Sequence, residues 1–364
     1  MKQKLTIQDI ARLAGVSKAT VSRVLNHKPT VDQEIRERVM KVVNEQGFVP
    51  SITATVLRGG RTQLIGVLAP PLTQPFVPEI MLGVAEVTDR TEYEVVLYTM
   101  HPSHKHSEVV DRILGMKLST GLLAIMPGQL GSHLDRLSRQ GVPIVTIEDQ
   151  VAPTSTHWIG IDNVSSAYEA THYLLSLGHR RIGHILGPEN YICSRERYIG
   201  YCRALREVGL EPDPNLVWQG DFDLSGGRAC AQRIFALPSE ERPTAIFAAN
   251  DQTAFGLIEV AKEYGVRVPE DLAVLGFDDM PIAAFATPGL TTIRQPHRDM
   301  GAIACELLLS LIDPTHYPFQ HQQRTFLGTE EGGSEQPTHI LLPTRLIVRA
   351  SCGAAQPASS QVQQ

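Results

Sequence analysis

Apolar residues recur at helical spacing in two short stretches near the start of the chain. Ile7, Ile10, Ala11 and Ala14 form the first, after a capping threonine at Thr6. Val21, Val24 and Leu25 form the second, after Ser17. Between them Gly15 stops the first helix, because glycine enters a left-handed turn without a steric cost. Ala11, Gly15 and Val21 satisfy what a helix-turn-helix requires: a small contact residue, a turn, and a branched residue that locks the second helix. The opposite face of the second helix carries Lys18, Ala19, Ser22, Arg23 and Asn26, the face a recognition helix offers to bases and phosphates. A solvated amphipathic hairpin is the plain alternative. Asp32 then caps a third pattern, with Ile35, Val39, Val42 and Val43 on one side and Pro50 beyond its end.

From Leu64 the pattern changes to short apolar runs alternating with amphipathic segments. The strand-like runs are Leu64–Ala69, Val95–Tyr98, Leu122–Met126, Ile144–Ile147, Trp158–Ile161, Ile182–Leu186, Ala245–Ala248 and Ala273–Leu275. Helical patterns occupy Glu79–Arg90, Glu108–Lys117, His133–Gln140, Ser165–Leu177, Glu196–Val208, Gly226–Phe235 and Thr253–Tyr264. Alternation of this kind, with continuously apolar strands, predicts doubly wound α/β units with parallel sheets covered on both faces.

The run DIARLAGVSKATVSRVLN at Asp9 to Asn26 resembles the headpiece of the LacI/GalR family of transcriptional regulators. The similarity continues through Asp32 to Gln46, Gly47-Phe48-Val49-Pro50 and the entry to the first core strand, Arg61 to Val67. The resemblance implies an all-α helix-turn-helix headpiece (1–49), a hinge helix and linker (50–60), and a two-lobed periplasmic-binding-protein-like core (61–352). The lobes would comprise about 61–163 plus 293–330 and about 164–292 plus 331–352. It assigns base reading to Lys18, Ala19 and Arg23, phosphate contact to Ser17, Thr20 and Ser22, and further DNA contact to Thr6, Asn26 and Thr30. Ala54 and Leu57 fall on the hinge's minor-groove positions. Ser51 and Thr55 depart from the family pattern, which favours asparagine at the first and arginine or glutamine at the second.

Charge is distributed accordingly. The chain carries net −6, yet residues 1–62 hold eleven Lys/Arg against five Asp/Glu, so +6 sits on the headpiece and −12 on the remainder. A basic head on an acidic body confines attraction for a polyanion to one end. The start MKQKLTIQDI lacks a long apolar stretch, and no run of about eighteen apolar residues occurs, so no signal peptide or membrane span is expected and a cytoplasmic location is. The five cysteines (193, 202, 230, 305, 352) show no metal spacing and are expected as reduced thiols. His101, His104 and His106 read as a loop, not a metal site. The segment from Asp313 to Pro337 reads as a polar surface excursion, and the tail 353–364 as disordered. Without leucine heptads in that tail, a dimer is expected.

Catalytic signatures are missing: no GxSxG, no GxGxxG after a strand, no GxxxxGK[ST] and no HExxH, and no cofactor is expected. A ligand site is better supported, because doubly wound folds bind ligands beyond the carboxyl ends of their strands. Phe76, Glu148, Arg197, Phe222, Asn250 and Asp278 stand at such ends. Each has a duller role open to it, as helix cap, surface ion pair or core. The resemblance places Glu148 (where aspartate is usual), Arg197, Asp278 and, on the last linker, Gln295 around an effector. An arginine opposed by carboxylates suits vicinal hydroxyls, so a sugar or sugar derivative is the expected ligand. The expectation is a homodimeric regulator of double-stranded operator DNA. Its rival is a solute-binding protein of the same core fold with no DNA role.

Overall fold

The computed structural model describes residues 5–25, 30–48, 62–100, 106–115, 119–126, 128–148, 156–189, 191–319, 328–330 and 337–353. The headpiece and the core, which begins at Leu64, are separate compact units.

In the headpiece, α1 (Ile7–Ala14), α2 (Lys18–Leu25) and α3 (Gln33–Gln46) enclose Ile10, Ala11, Ala14, Val21, Val24, Val39 and Val43. Thr6 and Asp9 form a reciprocal capping box, and Gly15 ends α1 with φ 64°. The Ser17 hydroxyl accepts from the Thr20 amide at 3.0 Å and so starts α2.

The first lobe of the core contains β1 (Leu64–Ala69), α4 (Phe76–Thr88), β2 (Glu94–Thr99), α5 (His106–Gly115), β3 (Gly121–Ile125), α6 (Gly131–Arg139), β4 (Ile144–Ile147) and β5 (His157–Ile161). The second contains α7 (Asn163–Ser176), β6 (Ile182–Leu186), α8 (Ile192–Glu207), β7 (Val217–Gln219), α9 (Leu224–Phe235), β8 (Ala245–Ala248), α10 (Asp251–Glu263), β9 (Ala273–Asp278) and β10 (Thr291–Arg294). The chain then returns to the first lobe through α11 (His297–Ile312), β11 (Gly328–Glu330) and β12 (His339–Leu342), and ends in the second with β13 (Arg345–Ile347). The sheets run β11-β12-β5-β4-β3-β1-β2 and β13-β10-β9-β8-β6-β7, parallel except where β11 and β13 join.

This topology corrects the expected lobe boundaries. Strand β12 pairs with β5 in the first sheet, so residues 339–342 belong to the first lobe and the third crossing falls at 343–344. Strand β10 runs in the second sheet to Arg294, which moves the second crossing to 295–296. Helix α11 also escaped the sequence reading. Eleven of its residues are buried, so its apolar positions wrap the whole helix and give no single stripe for periodicity to detect.

Helix α11 packs on α4 with the backbones in contact. A Cβ at Gly301 would collide with the Ile80 carbonyl, and one at Gly83 with the Arg298 carbonyl. The pairs α7–α8 and α9–α10 use Gly200, Gly227 and Gly256 in the same way. Cys193, Cys202, Cys230, Cys305 and Cys352 are all buried free thiols. No helix among the described residues is long and apolar enough to cross a membrane.

Candidate functional site

On α2, Val21 and Val24 point into the headpiece core while Lys18, Ala19 and Arg23 are exposed. The helix therefore has a locked side and a free side. Ser17 and Thr20 are joined through their hydroxyls at 2.8 Å, so the two residues expected at phosphates form one unit at the start of α2. Thr6 serves the capping box, its hydroxyl donating to Asp9 at 2.7 Å. Thr30 is exposed in the turn before α3. Asn26, Ala54 and Leu57 lie outside the described residues, as do His101, His104 and most of the 313–337 and tail segments that drew sequence-based expectations.

In the core, the carboxyl ends of the strands converge on Arg197. This residue stands on α8, only 5% exposed. Its Nε donates to Asn163 Oδ1 at 3.0 Å and its Nη1 to the Ala249 carbonyl at 2.7 Å. The guanidinium lies over the Phe277 ring, 3.6 Å from its centroid, with Phe222 at 5.8 Å. A surface ion pair, the plain alternative, is thereby excluded for Arg197.

Two carboxylates face this cation. Glu148 follows β4 in the first lobe and accepts from the Ile161 amide at 2.9 Å. Burial pushes its pKa up to about 7; Arg197, the Ile161 amide and Asn163 pull against that rise, and Glu196 adds to it. Asp278 ends β9 in the second lobe and accepts from Gln295 Nε2 at 2.7 Å. Burial raises its pKa to about 6 against the pull of Arg197 and Gln295. The amide oxygen of Gln295, Oε1, is buried without a hydrogen-bond partner, an acceptor that asks for a donor. Beneath them Asp251 is fully buried and accepts from Thr292 Oγ1 at 2.6 Å and the Met280 amide at 2.7 Å. Desolvation and the neighbouring Asp278 hold its pKa well above the carboxylate range.

The remaining candidates divide. Phe222 packs edge-on against Tyr191 at 5.7 Å and leaves no room for a Cβ at Gly187. Phe76 lies against His297 at 5.8 Å. Asn250 is a helix cap: its Oδ1 accepts from the Thr253 amide at 3.0 Å and hydroxyl at 2.8 Å, and its Nδ2 donates to the Phe222 carbonyl at 2.8 Å. The cap anticipated at Asp251 or Asp278 is therefore supplied by Asn250. A hollow of about 300 Å³ opens against Asp278, Gln295 and His297 and continues past Glu79 and Met280. His297 and Asn163 were missed by sequence reasoning. His297 is buried, its pKa driven down to about 3 by desolvation and then by Arg197; its place one residue past the Gln295-Pro296 linker was the available signal.

The backbone is strained here too. Met126, Glu148, Phe222, Asp278 and Asp279 all have positive φ, at 44°, 48°, 67°, 115° and 54°, and Met126, Glu148 and Asp278 lie at the carboxyl ends of β3, β4 and β9. Left-handed non-glycine residues persist only where their surroundings enforce them, and they gather at functional sites.

The raised carboxyls make stability depend on pH. The folded values, about 7 for Glu148 and about 6 for Asp278, lie above the ordinary 4.5 and 3.8. The native state therefore holds protons that the unfolded chain releases, and stability from these groups falls as pH rises through those windows. Glu148→Gln is expected to flatten the decline between pH 4.5 and 7, by at most about 1.4 kcal/mol per pH unit. Denaturant midpoints across that range test this; a mutant curve parallel to wild type would refute it.

Residues 6–51 match the model of bacterial regulatory proteins of the lacI family, and residues 171–352 match a periplasmic binding protein-like domain. The chain is 32% identical to the HTH-type transcriptional regulator DegA of Bacillus subtilis over 351 residues, 96% of this chain and 98% of that one. Among solved structures, a lac repressor dimer bound to operator and the anti-inducer ONPF is similar with TM-score 0.81 and 26% identity, covering 97% of this chain and 100% of that one. A complex of the transcriptional regulator CelR with cellobiose is similar with TM-score 0.67 and 31% identity, covering 95% and 99%.

Proposed function

Because this chain belongs to the lacI family of bacterial regulatory proteins and is a DNA-binding transcriptional repressor of that family, not an enzyme, we propose that it acts as a homodimer on a palindromic operator under the control of a sugar-like effector. The observation that carries the effector reading is Arg197, buried between a carboxylate from each lobe. Hydroxyl groups would donate to Glu148, Asp278 and the unpaired Gln295 oxygen and accept from the remaining Arg197 N–H groups. A ligand that binds one lobe closure better than the other shifts that equilibrium by its differential affinity. The CelR complex, which holds cellobiose, supports a carbohydrate. Leu82, Ile282 and Phe285 support self-association: they are 49%, 61% and 84% exposed, apolar surface that a second copy would cover.

The DNA arm is tested on the recognition helix. Arg23, exposed on the free side of α2, is assigned to a guanine edge. Arg23→Ala should weaken binding to a selected genomic operator fragment by about 1–3 kcal/mol, and binding to random DNA much less. Equal losses in mobility shifts on the two DNAs would reduce Arg23 to a backbone contact.

A further inference from the structure

A second hollow, of about 540 Å³, lies between the second and third crossings of the chain, within the size range of small-molecule sites. On its second-lobe side stand Arg294, the last residue of β10, and Arg345, the first of β13. On its first-lobe side stand Asp299 and Ile303 of α11 and Leu342 of β12. Pro296 and Pro343 flank it, one in each crossing. It meets the effector hollow at a common rim of Arg294, Pro296 and Asp299, whereas Asp278, Gln295 and His297 line the effector hollow alone. We propose that the second hollow is a further binding site, for a phosphate monoester on a compact, uncharged body, and that its occupant braces the two lobes.

The two arginines select the phosphate. Arg294 and Arg345 are register partners in the antiparallel pair β10–β13, and like charges set opposite one another destabilise a sheet. Both are exposed. Asp279 relieves only the first: its Oδ2 accepts from Arg294 Nε at 2.6 Å, while its Oδ1 is ion-paired with Arg349 at 2.7 Å. That bond holds Arg294 by its inner nitrogen and leaves the terminal ones over. Among the described residues no carboxylate pairs with Arg345, and Asp299 in the same hollow pairs with neither arginine. One guanidinium fork satisfies a carboxylate, but a phosphate dianion has oxygens enough for two. Asp299 restricts the rest of the ligand, since it repels a second anionic group and accepts from a hydroxyl. The prolines and the buried Ile303 and Leu342 give a carbon skeleton its apolar walls. A molecule bonded to Arg294 and Arg345 at one end and Asp299 at the other touches both lobes. It therefore favours the lobe angle at which both ends are reached.

The test is calorimetry of ribose 5-phosphate and glycerol 3-phosphate with the full chain, Arg197→Ala and Arg345→Glu. At least one ester should bind wild type and Arg197→Ala alike, and Arg345→Glu about tenfold or more weaker. Arg345→Gln, which removes the charge without reversing it, should lose less than Arg345→Glu. With the ester bound, hydrogen exchange read by mass spectrometry should slow in peptides covering 294–299 and 342–347, and stay fast in Arg345→Glu. No heat from either ester at about 10 mM, or equal affinity in Arg345→Glu, overturns the site. Displacement by equimolar sulfate also overturns it, as the mark of a generic anion contact. Binding that Arg197→Ala abolishes would put the ester in the effector cleft, which overturns this proposal and leaves the effector reading standing. Binding without slowed exchange overturns the brace.

Discussion

Arg197→Ala should abolish effector binding while leaving operator binding in place, because the headpiece is a separate compact unit with its own core. The substitution removes the one cation that lowers the pKa of both Glu148 and Asp278. It also strands the Asn163 oxygen and the Ala249 carbonyl that the guanidinium satisfies. Leaving buried charged partners uncompensated costs roughly 2–5 kcal/mol of binding, a loss of about thirtyfold at the low end and more than a thousandfold at the high end. A thermal-shift screen of sugars and nucleobases supplies the ligand, since selective binding to the folded state raises stability by mass action. Calorimetry on wild type and variant then decides. Equal affinity would mean that the pocket lies elsewhere. A nucleobase hit that needs Arg197 would keep the pocket and discard the sugar.

The second large effect concerns stability. Gly301→Ala should lose about 2 kcal/mol or more, although alanine in a helix interior is intrinsically better than glycine by about 1 kcal/mol. The two expectations have opposite signs, so the experiment separates propensity from packing. Packing should win because the new methyl would meet the backbone of Ile80 on α4, which cannot rotate away as a side chain could. The α4–α11 contact would open, and with it the cover that α11 gives the first sheet. A urea midpoint equal to or above wild type would show that the helices can slide apart without cost.

How much of this was legible in the sequence follows from what each element shows to its surroundings. The headpiece read correctly because its core is set by Ile10, Ala14, Val21 and Val39 at strict spacing, with caps that use local chemistry. The parallel strands β1, β4, β6 and β8 were also readable, being short, largely apolar runs. Strand β10 was not: its Thr291 and Thr292 are buried but polar in type, and their hydroxyls are bonded by distant partners. Thr291 Oγ1 reaches the Arg349 carbonyl at 3.1 Å and Thr292 Oγ1 reaches Asp251 at 2.6 Å. Strand β12 offered only four residues after a polar stretch, too few to reveal which sheet it joins. Within the site, Arg197, Glu148 and Asp278 came from strand ends and from resemblance. Asn163 could not have done so, because its role lies in contacts 34 residues away.

The left-handed residues carry a consequence for the gene. Glycine would relax the positive φ at Glu148 and Asp278, and every Glu or Asp codon lies one base from a glycine codon. A duplicated copy that no longer answered to its ligand would therefore have an open route at both positions, gaining backbone ease while its cleft lost charge. Strain of this kind acts as a ratchet: carboxylates given up there would return only when ligand response again decided which copies survive.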